Sequence, residues 1–225
     1  MLIFAVLYPI EPMKDIVILA AGDFPQREYP LYLLENADVV VCCDSALTTL
    51  LRHGKDADIV IGDFDSVSAQ ALVKTGAKIV KVEDQECNDL TKAFRYVMEN
   101  FADASSIHIL GGTGKSEAHT IGNVSLLMQY EKDYELSSKC IPVEMVSDYS
   151  TMFAISDTTE FHVGQGRRVS IFSPDPSLRI SSAGLEWPTD NVVFDNWWKA
   201  TLNIASSDIV TLVFNHPAMA LVILD

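Results

Sequence analysis

Five times in the first 112 residues an apolar run stops at a polar or glycine-rich tip. Residues 16–20 end at Ala21-Gly22-Asp23, 39–43 at Asp44-Ser45, 59–61 at Gly62-Asp63, 79–82 at Glu83-Asp84, and 107–110 at Gly111-Gly112. Short apolar runs without polar alternation suit strands buried on both faces. Between them, residues 31–35, 46–53, 69–75, 89–100 and 120–131 repeat apolar side chains at three- and four-residue steps, the period of an amphipathic helix. Alternating strand and helix predicts a parallel sheet covered by helices, and such sheets bind ligands outside the carboxyl ends of their strands. That rule puts Gly22, Asp23, Asp44, Asp63, Asp65, Asp84 and Gly111 to Gly114 on one rim.

Beyond Ser138 the texture changes. Residues 143–146, 159–163, 168–172, 178–181 and 209–214 read as short strands separated by turn residues, with no long helical period. The expectation is an α/β chain: a parallel N-terminal domain over 1–138 and a smaller all-β sandwich over 139–225. With 48% apolar and 21% charged residues, a chain of 225 can bury a core in each.

Lys and Arg number 16 against 31 Asp and Glu, and the resulting charge of −15 argues against a nucleic-acid partner. It is compatible with a nucleotide that arrives with magnesium, which hard carboxylate oxygens bind. The four cysteines, Cys42, Cys43, Cys87 and Cys140, show no C-x-x-C spacing, so no zinc or redox motif is indicated and a reducing, cytoplasmic setting is expected. The apolar opening, 1–10, is about half the length of a membrane span and lacks a basic flank, so neither a signal nor a membrane anchor is expected.

The sharpest local feature is Gly62-Asp63-Phe64-Asp65-Ser66 directly after a buried strand. Residues two apart in extended chain point the same way, so both carboxylates can face one magnesium ion; the alternative is a polar turn in which Asp63 caps the next helix. In 84–92, Asn88 or Asp89 can cap the following helix, and Asp89 can also complete a magnesium site with Asp63 and Asp65. Gly111-Gly112-Thr113-Gly114-Lys115-Ser116 lies between a strand and a helix, but the P-loop pattern needs glycine where Ile109 stands, so the Walker motif is absent. A glycine turn at a helix start still offers backbone N–H groups to phosphate, with Lys115 as a point charge, or else it serves only tight packing. His119 and Asn123 share a face of that helix, toward the turn. Trp187, Trp197 and Trp198 are the only tryptophans; they suit a flat heteroaromatic cation, a core or a subunit interface.

Taken in order, Asp44, G-D-F-D-S at 62–66, D-Q-E-C-N-D-L-T-K at 84–92, the glycine turn with His119 and Asn123, G-L-E-W-P at 184–188 and T-L-N at 201–203 resemble the thiamine pyrophosphokinase family across nearly the whole chain. The resemblance implies a Rossmann-like α/β domain and a C-terminal sandwich that binds thiamine and forms a homodimer, with active sites between domains near the subunit interface. It implies transfer of the terminal pyrophosphoryl group of ATP to the hydroxyl of thiamine, with AMP as product and Mg2+ required. By that likeness Asp63, Asp65 and Asp89 match the magnesium-binding, catalytic acids. Asp44 and Gln85 match positions around nucleotide and thiamine, and Trp187, Thr201, Leu202 and Asn203 match the thiamine side. Gly111, Gly112, Thr113, Gly114, Lys115, His119 and Asn123 form the expected nucleotide side. Where the family carries Arg and then Asp-His, this chain carries Ser116 and then Ala118-His119. Those departures keep a weakened or non-catalytic nucleotide- and thiamine-binding homologue as the alternative.

Overall fold

The computed structural model describes residues 13–65 and 67–225; the apolar opening and Ser66 of the G-D-F-D-S motif lie outside the described residues. In chain order the elements are β1 (Lys14–Leu19), α1 (Glu28–Asn36), β2 (Val39–Cys43), α2 (Asp44–Arg52), β3 (Ile59–Gly62), α3 (Ala69–Lys74), β4 (Lys78–Lys81), α4 (Asp89–Asn100), β5 (Ala104–Leu110), α5 (Glu117–Tyr134) and α6 (Leu136–Lys139). Then follow β6 (Val143–Val146), β7 (Thr151–Ile155), β8 (Thr159–His162), β9 (Arg168–Phe172), β10 (Ile180–Ala183), β11 (Asn203–Ile204), β12 (Ile209–Phe214) and β13 (Ala220–Leu224).

One large sheet runs β11-β9-β13-β7-β6-β5-β1-β2-β3-β4, and a second runs β10-β12-β8. From β6 to β4 all six strands are parallel. In β1, β2 and β3 the apolar runs are continuous because both faces are covered. Ile16 and Ile18 pack with Leu90, Phe94, Val97 and Tyr130 on one face, while Val17 and Leu19 pack with Leu34, Leu47 and Leu50 on the other. At the exposed edge, β4 begins and ends with lysine, which discourages further strand pairing.

The chain moves outward from β1 through β4, then returns to the other side of β1 as β5, so the strand order reverses between β1 and β5. A crevice at such a reversal is where open α/β sheets receive ligands. Here the two strand tips close on each other: the Gly22 N–H donates to the Gly111 carbonyl at 2.6 Å, and a Cβ on Gly22 would collide with the Gly111 and Thr113 carbonyls.

The second half departs from the expected separation. Residues 143–146, expected to open the sandwich, form the last parallel strand beside β5. The antiparallel strands β7, β13, β9 and β11 then continue the same sheet, attached to β6 through Met145↔Met152 and Val146↔Thr151. The sandwich forms where the three-stranded sheet packs on this end, joining Val169, Ile171, Val222 and Leu224 to Ile180, Val210 and Leu212. Strands β7, β11 and β13 were not among the expected ones. Among the described residues no helix is long and apolar enough to cross a membrane.

Candidate active site

The acids gather at three neighbouring strand ends. Asp44 follows β2, Asp63 and Asp65 follow β3, and Asp89 opens the helix after β4. Asp44, Asp63 and Asp65 each offer a carboxylate oxygen, and these oxygens lie within 4.8 Å of one another. Asp44 is only 1% exposed. It is held there by the Ser45 N–H at 2.5 Å on one oxygen and the Phe64 N–H at 2.7 Å on the other. The close approach depends on Gly62, because a Cβ there would collide with the Asp44 carboxylate. Phe64 takes a left-handed backbone (φ 65°), which turns the chain between half-buried Asp63 and exposed Asp65.

Burial pushes the Asp44 carboxyl above the usual aspartate range, against the two backbone hydrogen bonds that favour its ionised form. Asp63 is held below that range, first by the Asp65 N–H that it accepts, whereas Asp65 is pushed up by the carboxyl of Asp63 beside it. Hard oxygens that converge and repel in this way suit a divalent cation such as magnesium, so the donor set fits the expected metal. The capping alternative for Asp63 does not hold: Ser68 caps α3 by accepting from Ala71 N–H at 3.2 Å.

Asp89 lies outside the 4.8 Å group and pairs with Lys92, whose Nζ is 3.0 Å from Asp89 Oδ1 and 4.0 Å from Asp63 Oδ2. Burial opposes the charge on Lys92, yet the Asp89 hydrogen bond and the nearby acids prevail and raise its pKa. Gln85, expected on the thiamine side, donates from Nε2 to Asp63 Oδ2 at 3.4 Å. Asn88 is the N-cap of α4, accepting from Thr91 N–H at 2.9 Å.

Across the rim, the glycine turn is largely occupied with holding itself. The Gly114 N–H donates to Thr120 Oγ1 at 3.1 Å, and the Ser116 N–H donates to the Gly114 carbonyl at 2.6 Å. Lys115, at φ 59°, places Nζ 2.7 Å from the Ala21 carbonyl at the tip of β1. Thr113 accepts from Asp23 N–H, Ser116 caps α5, and His119 is exposed on the first turn of that helix. Asn123 spends its amide on protein: Nδ2 donates to the Gly112 carbonyl at 2.9 Å, and Oδ1 accepts from Asn88 Nδ2 at 3.1 Å. It therefore clasps the glycine turn to the helix that carries Asp89 and Lys92.

On the sandwich, Asn203 ties the two C-terminal motifs together, donating to the Trp187 carbonyl at 2.6 Å and accepting from the Trp187 N–H at 3.1 Å. Leu202, in a left-handed conformation, donates its N–H to Ser170 Oγ, and Thr201 donates to the Trp198 carbonyl. The tryptophans are not core: Trp187, Trp197 and Trp198 are 54%, 53% and 69% exposed. Trp197 meets Phe172 edge-to-face on the wall of an apolar cleft of about 380 Å³, which reaches Thr113 and Thr120 beside the glycine turn.

Two features escaped the sequence reading. Lys92 was signalled only by its place three residues after Asp89, and the part of Asp44 in the acid cluster only by the glycine that ends β3.

The family model for the thiamin pyrophosphokinase catalytic domain matches residues 31–137, and that for the thiamin pyrophosphokinase substrate-binding domain matches 151–220. A similar curated protein, Thiamin pyrophosphokinase 1 of Caenorhabditis elegans, is 30% identical over 105 residues, covering 44% of this chain and 43% of that protein. Less than half of that relative is therefore represented in the match. Among solved structures, thiamine pyrophosphokinase from Bacillus subtilis superposes with TM-score 0.74 at 19% identity, over 94% of this chain and 99% of that one. The Geobacillus thermodenitrificans structure gives 0.75 at 22%, over 94% and 97%. At such identities the superpositions speak for the fold.

Proposed function

The chain belongs to the thiamin pyrophosphokinase family, and we propose that it transfers the terminal pyrophosphoryl group of ATP to the hydroxyl of thiamine, releasing AMP, with magnesium bound at the acid cluster. The observation that carries this reading is the convergence of the Asp44, Asp63 and Asp65 oxygens beside the buried Lys92. A bound magnesium ion would neutralise phosphate charge and polarise the phosphorus under attack.

The chain's own residues supply position and charge. Half-buried Asp63 and exposed Asp65, beside Asp44, would hold the metal–phosphate end, and Asp89 stands next to them on Lys92. The remaining N–H groups of the glycine turn and the start of α5 face the phosphates. The thiamine oxygen forms a bond to the β-phosphorus of ATP while the bond from that phosphorus to the α,β-bridging oxygen breaks. The hydroxyl proton passes to a carboxylate of the cluster, and AMP leaves. Such a transfer rests on orientation and electrostatics more than on covalent participation by the protein.

We assign the thiamine side to Trp187 and Thr201 to Asn203, in keeping with the substrate-binding description of the matched C-terminal region. The exposed tryptophans and the apolar cleft support a homodimer that covers this surface, and the free cysteines fit a cytoplasmic setting. Asp63→Asn and Asp65→Asn test the assignment. Each should remove magnesium-dependent AMP formation while the protein stays folded by circular dichroism, and normal turnover in both variants would refute it.

A further inference from the structure

Lysine is almost never fully buried unless it is paired. Lys92 is 5% exposed, and its ammonium lies between two carboxylates, 3.0 Å from Asp89 and 4.0 Å from Asp63, the latter a member of the converging group with Asp44 and Asp65. Its place is at the border of the acid cluster, bridging Asp63 and Asp89. A cation fixed there partly satisfies the acids before any metal arrives, and it repels a second cation that comes alone.

We propose that Lys92 is a positioning residue that makes the acid cluster a poor site for a bare divalent cation, so that the metal is taken up together with the phosphates it accompanies. This rests on the magnesium reading above. Phosphates bring negative charge that Lys92 attracts, so the same ammonium that opposes the lone ion favours the metal–nucleotide complex. Asp89 belongs to the device. Tied to Lys92, it stays outside the converging group of Asp44, Asp63 and Asp65, and the three remaining acids keep their oxygens within 4.8 Å.

The test uses the full chain with Lys92→Met, Lys92→Gln and Lys92→Arg, and two probes: magnesium chloride alone, and magnesium with α,β-methylene-ATP, whose bridging carbon blocks cleavage. Calorimetric titration gives the affinity for each, and thermal unfolding gives the metal-induced rise in Tm. Removing a unit charge about 4 Å from a ligand carboxylate should tighten binding of the bare ion by about tenfold or more, even with strong screening. The metal-induced rise in Tm should grow in Lys92→Met and Lys92→Gln, while their affinity for the metal–nucleotide complex falls or stays level. Lys92→Arg should return both affinities toward the parent. A lysine that only supported the fold would lower Tm equally with and without metal. Unchanged or weaker binding of magnesium alone in folded Lys92→Gln or Lys92→Met overturns the proposal. Parallel titrations of Asp63→Asn and Asp65→Asn separate the two levels. If these also leave magnesium binding unchanged, the metal reading itself fails; if they weaken it and the Lys92 variants do not tighten it, only the role of Lys92 falls.

Discussion

Asn123 stands between the two halves of the proposed site, and replacing it should uncouple them. Asn123→Ala removes the donor to the Gly112 carbonyl at 2.9 Å and the acceptor for Asn88 at 3.1 Å. The first bond is partly buried and the second exposed, so the second counts at the low end of the usual 0.5–1.5 kcal/mol per bond, and the pair contributes about 1–2 kcal/mol. For a chain of this size that is a fall in Tm of about 2–8 °C. Activity should fall further than stability, because a phosphate turn displaced by about 1 Å can cost about a hundredfold in rate. Asn123→Asp sharpens the test: it still accepts from Asn88 but turns a carboxylate toward the Gly112 carbonyl and adds negative charge beside the phosphates. It should therefore raise the KM for magnesium-ATP more than Asn123→Ala does. Thermal unfolding and steady-state AMP formation, measured on the parent and both variants, give the two readouts. If Asn123→Ala keeps parental kcat/KM at a lowered Tm, the clasp is structural only and the reasoning fails.

Three further outcomes are expected. Ser116→Arg with Ala118→Asp should raise the rate of AMP formation by about ten- to a hundredfold, if the arginine contacts phosphate mainly in the transition state. The same change removes the Ser116 cap of α5 and should cost about 1 kcal/mol of stability, so a variant no faster than the parent would mean that the turn already holds the phosphates well. Magnesium affinity should weaken as pH falls through the raised pKa values of Asp44 and Asp65, above the ordinary aspartate value of 3.8. In metal-free protein Asp44 acts in the opposite sense: its folded pKa exceeds its unfolded one, so its contribution to stability grows as pH falls through that window, and a pH-independent affinity would contradict both assignments. Sedimentation at micromolar concentration should show a dimer that Trp198→Glu weakens; a fully active monomer would remove the proposed interface.

Much of the α/β half was legible because its elements obey one-dimensional rules. The unbroken apolar run of β2 is what a doubly covered parallel strand requires, and α4 spans Asp89–Asn100 as expected because Asn88 caps it and Leu90, Ala93, Phe94 and Val97 form one stripe. The C-terminal half was harder to read. Val143–Val146 was expected to open the sandwich, but strand character says nothing about partner: it pairs in parallel with β5, more than thirty residues earlier, at the join between the parallel and antiparallel parts of one sheet. β13, Ala220–Leu224, is apolar throughout, yet its central place between β7 and β9 is set by antiparallel pairing with strands far earlier in the chain. The site followed the same divide. Asp63 and Asp65 announce themselves by spacing, whereas Asp44 joins them only because two strand tips meet over a missing Cβ at Gly62. Lys92 is likewise placed by charge pairing, with Asp89 one turn before it on its own helix and Asp63 after β3, rather than by the apolar stripe of that helix.

The proposed reaction makes a definite statement about which bond of ATP breaks. Purified protein is incubated with magnesium-ATP, with and without thiamine, and the nucleotide and thiamine products are separated and quantified. AMP and thiamine diphosphate should appear in equal amounts, formed only when thiamine and magnesium are both present. ADP as the nucleotide product, or no thiamine-dependent AMP from folded protein, would contradict it.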